Sequence, residues 1–143
     1  MKKYKVLEDV AIADIAFESQ GKNLNKLFEN SAFAIFEESA DLDKVKVKDK
    51  YTVKLTAKNI EDLLYDFLSE ILFLKDTHSF LFKKSKVKIE KKVNNYNLKA
   101  QLSGEPIDRK KHELRNDIKA ITLHMFKIEK TKDGYKAVFV VDV

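Results

Sequence analysis

The sequence contains no cysteine, so disulfide bonds and thiolate metal sites are excluded. It also lacks any apolar run near the roughly 18 residues that a membrane-spanning helix needs. The first residues, Met1 to Val6, do not form the apolar segment of a signal peptide. Because disulfide-free chains suit reducing compartments, these absences predict a cytoplasmic protein without a membrane partner.

Residues that break helices and strands are also scarce, with three glycines and one proline in 143 residues. They stand at Gly21, Gly104, Pro106 and Gly134, between periodic segments, and no linker or repeat separates the chain into parts. A chain of this length buries roughly 70% of the surface that it exposes when unfolded. We therefore expect a single domain over residues 1–143.

The charge balance is basic, with 28 lysines and arginines against 23 acidic residues and a net charge of +5. Such a balance is compatible with a protein that works near RNA, because contacts with phosphates supply most non-specific affinity. Arg109 and Arg115 are the only arginines, however, and lysine without arginine is typical of a solvated surface.

Two segments repeat apolar residues at the i, i+3, i+4 spacing of amphipathic helices. Asn23 and Asn59 precede them and are good N-caps, since their side chains accept hydrogen bonds from the first helical turn. One domain needs such faces buried, which favours core packing over a partner groove. The two stripes are Leu24, Leu27, Phe28, Ser31, Ala32, Ile35 and Phe36, then Ile60, Leu63, Leu64, Phe67, Leu68, Ile71 and Leu72.

Elsewhere apolar residues alternate with lysines, as in strands with one face in the core and one in water. The alternating residues are Val45, Val47, Tyr51, Val53 and Leu55, then Val87 and Ile89, then Tyr96, Leu98, Ala100 and Leu102. The lysines are first of all a solvated sheet face. A phosphate-binding face is the alternative, although no aromatic residues stand between the lysines for base stacking.

Two further segments, residues 117–128 and 135–143, are apolar on both sides and predict central strands covered on both faces. Strands that follow each other closely favour antiparallel pairing. The whole pattern predicts an α+β fold, a mostly antiparallel β-sheet sandwich with two amphipathic helices packed on it.

The usual catalytic signatures are missing: the sequence has no Gly-rich phosphate loop, no H-E-x-x-H and no G-x-S-x-G. Asp14 and Asp142 instead stand out, because each lies in an otherwise apolar run. Such a carboxylate must stay hydrated, find a partner or hold a cation. Together with the terminal carboxylate beside Asp142, the pair would suit Ca²⁺, Mg²⁺ or Mn²⁺. Alternatively, each aspartate simply ends a strand in water.

A polar loop within residues 104–124 holds Asp108, His112 and Glu113. Long loops in compact domains are often functional. Lys119 follows the loop inside an apolar segment, where a lysine would need a carboxylate partner or an open cleft.

Taken together, these residues resemble the archease family over nearly the whole chain and in the same order. The matching blocks are Ala13-Asp14-Ile15, Gly21, Leu27-Phe28, the segment 63–72, Gly104 to Asp108, His112, the segment 117–124 and Val141-Asp142-Val143. The segment 117–124 is the closest match, to the family's V-K-A-x-T-x-H block. Ala11 and Ile12 replace a His-Thr pair that is common in the family, and Phe67 replaces a common tryptophan.

The resemblance implies a metal-binding protein, not itself an enzyme, that activates an RtcB-type RNA ligase in tRNA splicing. It would promote guanylylation of the ligase and multiple turnover, and would meet tRNA through the ligase. The implied ligands of a divalent metal ion are Asp14, Asp142 and Val143, and Lys119 is the implied functional lysine. Ca²⁺ is the ion expected in a crystal, and Mn²⁺ or Mg²⁺ in the cell.

Two other functions compete with this interpretation. The first is a chaperone-like or tRNA-binding modulator of a tRNA-modifying enzyme, which the lysine rows favour. The second is a metal-dependent hydrolase built on Asp14 and Asp142, which lacks an evident nucleophile or base beyond the carboxylates.

Overall fold

The computed structural model describes residues 3–7 and 14–143, which form seven strands, two α-helices and one short 3-10 helix. The order along the chain alternates strands with the two helices before ending in a run of strands. The elements are β1 Tyr4–Leu7, β2 Asp14–Gly21, α1 Leu24–Ser39, the 3-10 helix Leu42–Lys44, β3 Asp49–Ala57, α2 Ile60–His78, β4 Phe80–Lys91, β5 Tyr96–Pro106, β6 Ala120–Lys130 and β7 Tyr135–Asp142.

Both helices begin where the sequence predicts. The Asn23 side chain accepts a hydrogen bond from the main-chain N–H of Lys26 at 2.9 Å, and that of Asn59 accepts one from Asp62 at 2.8 Å. These bonds satisfy main-chain donors that the first helical turn leaves free. The predicted core residues of the two stripes, Phe28, Ile35, Leu64, Phe67 and Ile71, are all fully buried. Core packing of both stripes is therefore confirmed.

The described strands form two antiparallel sheets. One has four strands in the order β1-β2-β7-β6, and the other has three in the order β3-β5-β4. Each helix packs against both sheets: α1 contacts β2 and β4, and α2 contacts β6 and β3. The predicted α+β class, with antiparallel sheets and two packed helices, is confirmed.

The central position predicted for both late strands is right for β7 and wrong for β6. β7 lies between β2 and β6, and Phe139, Val140 and Val141 are fully buried. β6 lies at the edge of its sheet within the described residues. Its pairing with β7 shifts register between Thr122 and Lys127, and the intervening residues bulge outwards.

Two apolar residues of this bulge are exposed. Leu123 is 71% exposed and Met125 is 46% exposed, so these side chains do not enter the core. Met125 has a φ of 56°, which is uncommon for a residue with a side chain. Phe126, the last of the intervening residues, instead packs edge-on against Tyr65 of α2 at 5.9 Å between ring centroids.

The strand predicted from Val45 onwards begins only at Asp49. The main-chain N–H of Lys46 donates to the carboxylate of Glu105 at 2.6 Å rather than to a neighbouring strand. Val45 is buried with Ala40 and Leu81 in a small second cluster, whereas Val47 is 43% exposed. Alternation in the sequence thus extends past the hydrogen-bonded ladder.

No helix within residues 3–7 and 14–143 is both long and apolar enough to cross a membrane.

Candidate functional site

Asp14 and Asp142 lie directly opposite each other on neighbouring strands. Asp14 opens β2, Asp142 closes β7, and the antiparallel register pairs the two residues. Directly opposed residues have Cα atoms about 4.5–5.5 Å apart and side chains on the same face. Both aspartates are half-buried. The pairing of β2 with β7 therefore brings the two aspartates next to each other.

The neighbour of this pair on the third strand is small. Ala120 of β6 is the register partner of Asp142, on the side away from Asp14. Within the described residues, the row reads aspartate, aspartate, alanine, so Asp142 has a small side chain on the side away from Asp14. Two carboxylates without a cation between them would repel each other, because like charges directly opposite are unfavourable in a sheet.

The donor set fits a hard divalent cation, since carboxylate oxygens are the ligands that Ca²⁺, Mg²⁺ and Mn²⁺ prefer. Within the described ranges 3–7 and 14–143, no three histidine, aspartate or glutamate side chains cluster as a metal site. A cation held by the two aspartates would need further ligands, and half-buried Val143 follows Asp142 directly. Ala11 and Ile12, at the places of the family's His-Thr pair, lie outside the described residues.

The main chain of Lys119 lies next to the pair of Asp14 and Asp142. Its N–H donates to the carbonyl oxygen of Asp142 at 2.8 Å. Lys119 precedes β6 rather than lying within it, and its side chain is exposed. Of the two alternatives expected for Lys119, a carboxylate partner or an open cleft, the structure does not require the first, because water solvates an exposed ammonium group.

A second cluster of polar groups surrounds Glu105, which the sequence analysis did not single out. Glu105 is only 3% exposed, at the end of β5. Its Oε2 accepts hydrogen bonds from the Lys46 main chain at 2.6 Å, Lys111 Nζ at 2.7 Å and His112 Nε2 at 2.9 Å. Lys48 Nζ stands 3.7 Å from Oε1. A buried carboxylate with this many donors is well compensated.

The hydrogen bonds fix the tautomer of His112, which is 6% exposed. The main-chain N–H of Asp108 donates to His112 Nδ1 at 2.9 Å, so Nδ1 is an acceptor. The ring proton is then on Nε2, which donates it to Glu105. Burial alone would raise the pKa of Glu105, but the hydrogen bonds from Lys111, His112 and the Lys46 main chain outweigh it and lower this pKa to about 2.

The Glu105 cluster and the end of α1 together fix the loop of residues 107–119. Main-chain N–H groups of Arg115 and Asn116 donate to the carbonyl oxygens of Ser39 and Glu38, each at 2.9 Å. Exposed Glu113 pairs with Lys44 at 3.3 Å. The loop therefore has a defined path that leads to Lys119 and to β6.

Sequence reasoning found His112 in this loop but missed its partner Glu105. Alternation along β5 puts Leu98, Ala100 and Leu102 inwards and would put Glu105 outwards. Ser103, Gly104 and Glu105 are nevertheless all buried. A glutamate directly before the only proline, at the end of an alternating segment, was the available signal.

Comparisons with known proteins agree with one another. The model of the Archease protein family matches residues 4–143. Protein archease of Pyrococcus abyssi is 40% identical over 134 residues, covering 94% of this chain and 93% of that protein. Protein archease of Sulfurisphaera tokodaii is 39% identical over 143 residues, covering all of both chains.

A solved structure gives the same result at the level of the fold. The solution structure of protein 1598 from Methanobacterium thermoautotrophicum superposes with a TM-score of 0.89 at 38% identity, and the match covers 100% of both chains. A family model spanning almost all of the chain, relatives near 40% identity and a matching fold lead to one conclusion. This chain belongs to the archease family.

Proposed function

We propose that this protein is a metal-binding helper of an RtcB-type RNA ligase in tRNA splicing, and that it catalyses no reaction of its own. It would promote guanylylation of the ligase and allow the ligase to turn over repeatedly. Membership of the archease family supports the partner. The observation that carries the site is the strand register that sets Asp14 directly opposite Asp142.

In this proposal Asp14, Asp142 and the terminal carboxylate of Val143 hold a divalent cation. Two of these groups are fixed by neighbouring strands of one sheet, and the third follows at the next residue. When bound, the cation would supply positive charge of the kind that neutralises phosphate charge in nucleotide transfer.

Lys119 is proposed as a contact for the ligase. Its main chain is held by Asp142 at 2.8 Å while its side chain is exposed, so the ammonium group is free to meet an acidic group of a partner. Because a charged contact at an exposed position mainly guides association, replacing Lys119 would weaken assembly more than it would disturb folding.

The test is a guanylylation assay with excess GTP and limiting ligase, with and without this protein. We expect wild-type protein to raise the number of turnovers per ligase. Asp142→Asn should lose at least about 90% of that stimulation, because one of two opposed ligands is gone; tenfold corresponds to about 1.4 kcal/mol. Asp133→Asn is the matched control, since exposed Asp133 lies in the turn before β7, at its opposite end.

Each result has a distinct meaning. Full stimulation by a folded Asp142→Asn protein would remove the metal site from the mechanism and leave ligase activation standing. Failure of wild-type protein to stimulate its cognate ligase would overturn the proposed function. Adding two residues after Val143 moves the terminal carboxylate away, and undiminished activity of that protein would exclude it as a ligand.

A further inference from the structure

The outer face of the three-stranded sheet β3-β5-β4 carries an unusual concentration of lysines. The strand register places Lys54, Lys99 and Lys88 side by side in one row across all three strands. Another row of the same face reads Lys50, Ser103, Lys84. The lysine face is defined here as Lys50, Lys54, Lys84, Lys86, Lys88 and Lys99.

The sheet orients this face away from the core. The alternate residues of the same strands, such as Val53, Ala100 and Val87, form a register row and are buried. All six lysines of the lysine face are exposed. Successive strands lie about 4.8 Å apart, so the row of three places its Cβ atoms close together.

These lysines form no ion pair within the described residues, although Lys92 and, at longer range, Lys88 lower the pKa of the Glu90 carboxyl group. Like charges directly opposite one another destabilise a sheet. Within residues 3–7 and 14–143, none of the six lysines lies within 4.0 Å of a carboxylate oxygen, although lysines elsewhere, such as Lys26 and Lys136, do. The acidic residue of this face, Glu90, pairs with Lys92 at 3.0 Å. The face therefore keeps an unfavourable charge that an external anion would relieve.

We infer that the lysine face binds the phosphodiester backbone of RNA directly. Thr52 and Gln101, in the row with Lys86, are polar and uncharged, and they can donate to phosphate oxygens. The rows contain no aromatic side chain for base stacking and no apolar side chain for insertion into a lipid surface. Binding is therefore electrostatic and independent of base sequence.

This contact is separate from ligase activation. The lysine face belongs to β3, β5 and β4, whereas Asp14 and Asp142 belong to the other sheet. An assay without ligase therefore tests the inference, and its result does not depend on the proposed function.

The experiment is fluorescence anisotropy of a labelled single-stranded RNA with the protein alone, repeated over a range of salt concentrations. We expect Lys54→Gln/Lys88→Gln/Lys99→Gln to weaken binding at low salt by at least about tenfold, and to reduce the slope of log K against log salt by about 2. The matched control is Lys22→Gln/Lys130→Gln/Lys132→Gln, which removes the same charge from exposed lysines outside the lysine face. It should bind nearly as well as wild type.

Thermal melts check that loss of RNA binding is not caused by loss of the fold. The variant Lys54→Gln/Lys88→Gln/Lys99→Gln should melt at the same temperature as wild type or higher, because it removes repulsion between the lysines. Equal loss of RNA binding in the two triple variants would reduce the effect to net charge and overturn the inference. Absence of wild-type binding at low salt would also overturn it. So would polyglutamate competing as well as unlabelled RNA, which would identify an acidic protein as the partner.

Discussion

Glu105 illustrates how one buried charge organises a loop. Its carboxylate accepts hydrogen bonds from the Lys46 main chain, Lys111 and His112. These bonds bring Lys46, far away in sequence, to the end of β5. A buried charge with this many donors is favourable only while it is ionised. The integrity of the loop leading to Lys119 is thereby linked to pH.

We predict that the Glu105 cluster makes the free energy of unfolding fall in acid. The folded-state pKa of Glu105 is lowered from 4.5 to about 2, so its stabilisation is present above about pH 4.5 and is lost as the pH falls towards 2. Glu105→Gln should cost about 1–3 kcal/mol at pH 7 and should flatten the acid part of the curve. Urea titrations at several pH values measure both effects.

Glu113→Gln provides the control, because its carboxylate is 60% exposed and pairs only at the surface with Lys44. It should cost less than about 1 kcal/mol. If wild type and Glu105→Gln lose stability in parallel between pH 5 and pH 2, the carboxylate is not the group responsible.

At the scale of elements, the sequence predicts the position of the helices better than that of the strands. A stripe such as Leu64, Phe67 and Ile71 has one geometric solution, and each residue is buried as its spacing requires. An apolar strand does not reveal its place in a sheet: β6 lies at an edge within the described residues, and its register with β7 shifts after Thr122. Glu105 was missed because its burial depends on tertiary contacts with Lys46 and with the loop of residues 107–119 rather than on local periodicity.

We predict a large difference between two apolar residues of α2. Leu64 is fully buried, so Leu64→Ala should lower the free energy of unfolding by about 2–5 kcal/mol. Phe73 is 59% exposed, so Phe73→Ala should change it by less than about 0.5 kcal/mol. Chemical denaturation of both variants measures the difference. A Leu64→Ala protein as stable as wild type would mean that the stripe is not part of the core.

At the scale of the whole molecule, the two aspartates come from distant parts of the chain and meet only in the folded sheet. Their proximity was inferred from two carboxylates in apolar segments and from the family resemblance, neither of which contains the register. The register follows from the pairing of β2 with β7, in which Asp14 opposes Asp142 and Gly21 opposes Tyr135. Fold and site thus depend on the same strand pair.

We predict that the effect of Asp142→Asn on stability changes sign with metal. Without metal, the variant should be more stable than wild type by on the order of 0.5 kcal/mol, because it removes a like-charge pair. With Ca²⁺ at a hundred times its dissociation constant, wild type should gain about 2.7 kcal/mol, because only the folded state holds the site. Thermal melts with Ca²⁺ and with a chelator measure both. Equal Ca²⁺ stabilisation of the variant would exclude Asp142 as a ligand.

The order of strands in the four-stranded sheet also determines how late in synthesis β2 can pair with β7. β7 is the last strand along the chain, yet it lies between β2 and β6 at the centre of that sheet. On the ribosome, both helices and the sheet β3-β5-β4 can form before β7 is available to pair with β2. A chain released before residue 135 would leave the main-chain groups of β2 that pair with β7 open to other chains. It would also leave Asp14 without its register partner Asp142.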